Sequence, residues 1–73
     1  MRENKDKLIA LGLRISDERK RRGITMERLA YEMDLSKGNL SEIERGIRDP
    51  KFSTLLAIAE GLDTTISKLL KDL

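Results

Sequence analysis

Cysteine, histidine and tryptophan are absent from this sequence of 73 residues, and proline, tyrosine and phenylalanine occur once each. Without cysteine the chain cannot form a disulfide framework or a thiolate metal site. Because histidine is missing too, the chain lacks Cys-His and Ser-His nucleophilic pairs, imidazole ligands and the commonest general base. These absences argue against an enzyme and predict no metal, no cofactor and no small-molecule ligand.

Long apolar runs are also missing. No segment approaches the roughly 18 apolar residues of a membrane span, and the N-terminal MRENKDK lacks the apolar core of a signal peptide. We therefore expect a cytoplasmic protein with no membrane partner. A charged fraction of 38% and few aromatic residues favour helices with solvated faces, and the length predicts a single domain over residues 1–73.

Caps and apolar spacing predict five helices and hence an all-α fold. The first helix is predicted from about residue 6 or 7 to residue 22, before Gly23, and residues 1–6 are expected to form a flexible tail. Thr25, Ser36 and Ser53 are the predicted N-caps of the next three helices, and the fifth helix is predicted over about residues 65–71.

The junction between helices 2 and 3 is short, because only Asp34 and Leu35 precede the Ser36 cap. Asp34 is expected to adopt a left-handed conformation in a tight turn. Helix 3 begins poorly, since Gly38 costs a helix interior about 1 kcal/mol against alanine. Two short helices joined in this way are typical of a helix-turn-helix, in which the second helix enters the DNA major groove. Gly38 would then remove bulk where that helix comes closest to the base edges.

Residues 11–70 resemble the Cro/cI-like helix-turn-helix family of phage and bacterial regulators. The stretch GITMERLAYEMDLSKGNLSEIERGIRDP carries the resemblance, and its LAY segment and ERGIRDP loop are similar to controller proteins of restriction-modification systems. The resemblance implies a compact lambda-repressor-like fold and a transcriptional regulator that binds double-stranded DNA. Three residues depart from the family pattern: Met26 replaces a phosphate-contacting Gln, Asp34 replaces a turn Gly, and Glu18 replaces a packed Leu.

The outward side of helix 3 supplies the predicted DNA contacts. By the chemistry of base edges, Lys37 is expected to donate to guanine, Glu42 to accept from cytosine, and Asn39 to read adenine or anchor a phosphate. The predicted base-reading set is Lys37, Gly38, Asn39, Ser41 and Glu42, and the predicted backbone contacts are Ser36, Arg45, Arg48, Lys51 and Tyr31. The competing interpretation is ordinary exposed helix and loop residues, with Tyr31 half-buried. The resemblance also implies a structural ion pair between Arg19 and Glu44.

The sequence leaves alternatives open for both the assembly and the function of the protein. One such domain reads few base pairs, so we expect a homodimer on a near-palindromic operator, with recognition helices roughly 34 Å apart. The predicted dimer patch is Leu62, Ile66, Leu69, Leu70 and Leu73, although several of these leucines would serve equally well as core. The alternative function is an antitoxin-like or protein-interaction helix-turn-helix module.

Overall fold

The computed structural model describes residues 2–73, with side chains from residue 4 onward. Over this range the chain forms five helices and no strand: α1 (Arg2–Arg21), α2 (Met26–Glu32), α3 (Lys37–Glu44), α4 (Phe52–Gly61) and α5 (Ile66–Leu69). The predicted all-α, five-helix architecture is confirmed for the described residues. In this part of the chain, no helix is long and apolar enough to cross a membrane.

Hydroxyl side chains start three of the helices. Thr25 Oγ1 accepts a hydrogen bond from the Arg28 backbone at 3.1 Å, and Ser36 Oγ accepts one from the Asn39 backbone at 3.2 Å. Thr65 caps α5 in the same manner. These bonds satisfy amide groups that a helix N-terminus leaves without an internal partner. The caps of α2 and α3 thus fix where the two helices begin.

Two helix starts differ from the predictions. Helix α1 begins at Arg2 and not near residue 6, because no glycine or proline interrupts the first turns. Residues 2–6, predicted as a tail, are therefore helical, while Met1 lies outside the described residues. The predicted Ser53 cap is wrong, since α4 starts at Phe52 and none of the described side chains caps it. Lys51, in the extended conformation directly after Pro50, already makes the entry into the helix.

Left-handed aspartates lie in two of the short helix connections, those between α2 and α3 and between α4 and α5. Asp34 has a φ of 54°, as predicted, and the next amide, that of Leu35, donates to the Ala30 carbonyl at 2.8 Å. The link from α4 to α5 repeats this geometry, with a φ of 54° at Asp63 and a bond from the Thr64 amide to the Ala59 carbonyl. Both connections therefore end a helix with the same compact turn.

The core draws on all five helices. Its largest fully buried side chains are Ile15, Leu29, Leu40, Ile58 and Leu62. Burial of each such side chain contributes about 1.5 to 3 kcal/mol. Leu40 therefore anchors α3 by its inner face and leaves the opposite face to solvent.

The predicted dimer patch is wrong in two of its five members. Leu62 and Leu69 are 0% and 4% exposed and belong to the core, because a chain of this length needs them to cover α1 and α4. Ile66 and Leu73 are half-buried and pack against that core, whereas Leu70 remains exposed. The surface available for a partner is therefore different from the predicted one.

Helices α1 and α3 cross at Gly12. A Cβ on Gly12 would lie 2.5 Å from the carbonyl oxygens of both Ile43 and Glu44, which is too close for any other residue. This role was not predictable from the sequence, because nothing local distinguishes Gly12. The crossing sets the depth at which α3 lies against the domain.

Candidate nucleic-acid interface

A buried ion pair fixes the rear end of α3. The Arg19 guanidinium donates to both Glu44 carboxylate oxygens, at 2.8 and 3.0 Å, and to the Ile24 carbonyl at 2.9 Å. The two charged side chains are only 11% and 6% exposed. The hydrogen bond from Arg19 to Glu44 is the main reason that the pKa of Arg19 is raised above its ordinary value. This is the pair that the family resemblance implied, and it ties α3 to both α1 and the start of α2.

The outer side of α3 presents the residues predicted to read bases. Residues three and four apart share one face of a helix, so this face follows directly from the burial of Leu40 and Ile43 on the other. Three members are exposed and two are half-buried: Lys37, Gly38 and Asn39, then Ser41 and Glu42. The structure therefore places the whole predicted set at the surface of one short helix.

Gly38 is not required by the fold. Its φ is not left-handed, and a Cβ added to it would have only Ser36 Oγ, at 3.7 Å, within contact distance among the described residues outside its own helix. Gly12 and Gly46, in contrast, have backbone atoms closer than 3.0 Å to such a Cβ. The glycine at the front of α3 thus lowers helix stability without any gain inside the domain.

The residues predicted to touch the DNA backbone are all exposed. Arg45 follows the last turn of α3, and Arg48 and Lys51 line a shallow groove with Asn39. Tyr31 is 88% exposed, so the interpretation of Tyr31 as a half-buried residue is wrong. Ser36 is exposed at the N-terminus of α3, where the helix dipole favours an anion.

Both charged side chains of the predicted base-reading set have counterions from outside α3. Lys37 Nζ donates to Glu27 Oε2 at 2.8 Å, and Arg48 Nε donates to Glu42 Oε1 at 2.6 Å. The bond from Lys37 is the main cause of the lowered pKa of Glu27. Neither pair was predictable from the sequence, because Glu27 and Lys37 are ten residues apart, Glu42 and Arg48 are six apart, and each pair meets only in the folded chain.

Three of the four cations in the basic run at residues 19–22 have carboxylate partners within the domain. Glu18 accepts hydrogen bonds from Arg21 and from Arg22, the latter at 2.9 Å, and these bonds lower the pKa of Glu18, with Arg21 as the largest cause. Arg22 also lies 3.9 Å from the Asp63 carboxylate. The run therefore stabilises the end of α1, and the cations beside α3 are the stronger candidates for DNA contact.

Comparison with known proteins decides the family. The helix-turn-helix family model matches residues 15–69, which is most of the chain. The chain belongs to the helix-turn-helix family. This confirms the predicted resemblance to a helix-turn-helix family.

Two curated relatives are similar over most of this chain. The immunity repressor protein of Bacillus phage phi105 is 38% identical over 61 residues, which cover 84% of this chain and 42% of the relative. The HTH-type transcriptional regulator ImmR of Bacillus subtilis (strain 168) is 32% identical over 62 residues, covering 85% and 49%. The chain spans about half the length of these relatives. One relative is thus named as a transcriptional regulator and the other as a repressor.

A solved structure confirms the fold class. The crystal structure of the restriction-modification controller protein C.AhdI from Aeromonas hydrophila has a TM-score of 0.82 and 29% identity to this chain. The match covers 85% of this chain and 94% of C.AhdI. The predicted lambda-repressor-like fold and the similarity to controller proteins are both confirmed.

Proposed function

We propose that this protein is a transcriptional regulator that binds double-stranded DNA sequence-specifically, with α3 in the major groove. The observation that supports the proposal most directly is the open, structurally unneeded glycine at position 38. Its cost of about 1 kcal/mol in helix propensity is balanced if another molecule must approach α3 closely at that point. A base-pair edge in the major groove is the partner expected at the N-terminal turn of such a helix.

The side chains next to Gly38 carry complementary chemistry for base edges. Lys37 donates to guanine O6 or N7 and Glu42 accepts from cytosine N4, while Asn39 and Ser41 have both donor and acceptor groups. Each good pairing supplies roughly 1 to 3 kcal/mol of discrimination. The ion pairs that Lys37 and Glu42 form in the free protein are exposed and contribute at most about 1 kcal/mol each, so they do not prevent contacts with base edges.

Contacts to the phosphates position the helix without reading sequence. Arg45, Arg48 and Lys51 supply the cations, and Ser36 and Tyr31 supply exposed hydroxyl groups. Such a protein acts where the chromosome is, so the proposal places it in the cytoplasm at the nucleoid.

The roles are separable by substitution. Arg45→Ala is expected to weaken binding to every duplex and to lower the slope of log affinity against log salt by about one unit. Lys37→Ala and Glu42→Ala are expected to relax sequence preference instead, with a loss of roughly 10-fold discrimination at one base pair each. Fluorescence anisotropy with an operator duplex and with point-substituted duplexes measures both quantities. An equal, sequence-independent loss in all three variants would contradict the assigned roles.

We also propose that the regulator is a homodimer on a near-palindromic operator. Phe52 and Leu56, one turn apart on α4, are 66% and 48% exposed, and Leu56 borders a surface groove together with Ile66 of α5. We name Phe52, Leu56 and Ile66 the α4–α5 face. As the surface for a second copy, this face keeps Ile66 of the patch predicted from sequence and adds Phe52 and Leu56, which are both apolar and accessible.

A further inference from the structure

We propose that Glu27 is a positioning residue for Lys37, and that it sharpens sequence discrimination by keeping the Lys37 ammonium group off phosphates. The inference rests on the proposed DNA-binding function and assigns a residue outside α3 to the reading of sequence. Glu27 would thus suppress nonspecific contacts, in addition to the specific contacts that α3 makes with bases.

The Glu27–Lys37 ion pair links the N-terminal ends of α2 and α3. Glu27 is the second residue of α2, Lys37 is the first residue of α3, and their charged atoms are 2.8 Å apart. Both side chains are more than half exposed, so the ion pair is what orders them and not packing. The Lys37 ammonium is therefore held toward α2 in the free protein, at the edge of the face that carries Gly38.

The chemistry of the ammonium group gives the pair its effect. An ammonium group has three donors, so one bond to Glu27 leaves two for guanine O6 and N7. Attraction to phosphate depends instead on net charge and on the release of counterions from DNA. A carboxylate at 2.8 Å cancels much of that charge. The pair should therefore weaken contacts with phosphates on any DNA more than a contact with the correct base.

A second pair on α2 provides a control within the same helix. Arg28 Nε donates to Glu32 Oε2 at 3.2 Å, and both side chains are exposed. Glu32 carries the same charge as Glu27 but contacts no residue of α3 among the hydrogen bonds and ion pairs of the described residues. A general effect of removing one negative charge from α2 would appear in Glu32→Gln as well as in Glu27→Gln.

The test is a double-mutant cycle with Glu27→Gln, Lys37→Gln and their combination, with Glu32→Gln as the matched control. Affinity is measured at several salt concentrations for three duplexes. The first is an operator recovered by selection, and the second is that operator changed at the base pair where Lys37→Gln relaxes sequence preference. The third is an unrelated duplex. We expect Glu27→Gln to raise affinity for the unrelated duplex about two- to fivefold, the range for an exposed ion pair. The salt slope should steepen by about one unit, and discrimination at that base pair should fall by a similar two- to fivefold.

The outcomes separate the inference from the function on which it rests. In the Lys37→Gln background, Glu27→Gln should have none of these effects. If it raises affinity equally with and without Lys37, or if Glu32→Gln does the same, Glu27 acts only as a general charge and the positioning role is overturned. If the unmodified protein binds no duplex in a salt-dependent manner, the proposed DNA-binding function fails, and the positioning role fails with it.

Discussion

At the scale of single residues, the left-handed aspartates lower the stability of the protein by a measurable amount. Asp34 adopts a φ of 54°, which only glycine adopts without penalty. We expect Asp34→Gly to raise the free energy of unfolding by about 1 kcal/mol, because it removes a left-handed strain of about that size. Urea unfolding followed by circular dichroism measures the change.

Two other aspartates provide the comparison for this prediction. Asp63 has the same φ of 54°, so Asp63→Gly should stabilise the protein by a similar amount. Asp49 is exposed and is not among the positive-φ residues, so Asp49→Gly should give no gain. Equal responses at all three positions would mean that backbone conformation does not govern the effect.

Residue roles were predictable where the cause is local. The Thr25 and Ser36 caps and the left-handed Asp34 follow from preferences within a few residues of the chain. The counterion of Lys37 was not predictable, because Glu27 comes close only after α2 and α3 have met. The charged partners around the candidate site are thus a property of the folded turn.

At the scale of helices, two glycines are expected to differ in role: Gly12 serves helix packing, whereas Gly38 serves DNA binding. Gly12→Ala should destabilise the protein by about 2 kcal/mol, because the added methyl group overlaps two α3 carbonyl oxygens across the α1–α3 crossing. Gly38→Ala should stabilise it by about 0.5 to 1 kcal/mol, because the site is open and alanine favours a helix. Thermal and urea unfolding of both variants test the opposite signs.

The two variants should also differ in DNA binding. Gly38→Ala should lower operator affinity by about tenfold although the protein is more stable, since the methyl group occupies the closest approach to the base pairs; tenfold corresponds to about 1.4 kcal/mol. A Gly38→Ala protein with unchanged operator affinity would remove the main support for the proposed function.

Helix existence was predictable from sequence, and helix boundaries less so. The apolar spacing within α3 and the caps of α2 and α3 agree with the structure, whereas the start of α1 and the cap of α4 do not. No residue near the N-terminus signals where α1 begins, and Pro50 moves the entry into α4 to Lys51. Weak local signals leave such ends to be decided by the surrounding structure.

At the scale of the whole molecule, assembly depends on how the apolar residues divide between core and surface. The sequence shows a surplus of leucines near the C-terminus but not how many of them the core requires. The structure assigns Leu62 and Leu69 to the core and leaves the α4–α5 face accessible. The division could not be predicted because it depends on how α1, α4 and α5 pack together.

The α4–α5 face can be tested by a charge placed within it. Leu56→Arg should convert the proposed dimer to a monomer and weaken operator binding, because each half-site would then be bound without its neighbour. Leu13→Arg, at an exposed leucine of α1, is the matched control and should leave the dimer intact. Sedimentation equilibrium measures the mass, and circular dichroism checks that both variants remain folded. A Leu56→Arg protein that sediments as the wild type does would exclude this face.

Selection of bound sequences from a random duplex pool at two salt concentrations tests directly whether α3 reads DNA. For a dimer with α3 in the major groove, we expect recovery of an inverted repeat whose half-site centres lie about one helical turn apart, roughly 10 base pairs. Higher salt should weaken binding while the recovered motif stays the same. Recovery of no sequence above background at either salt concentration would contradict the claim that α3 reads DNA, and would favour a helix-turn-helix domain that binds another protein.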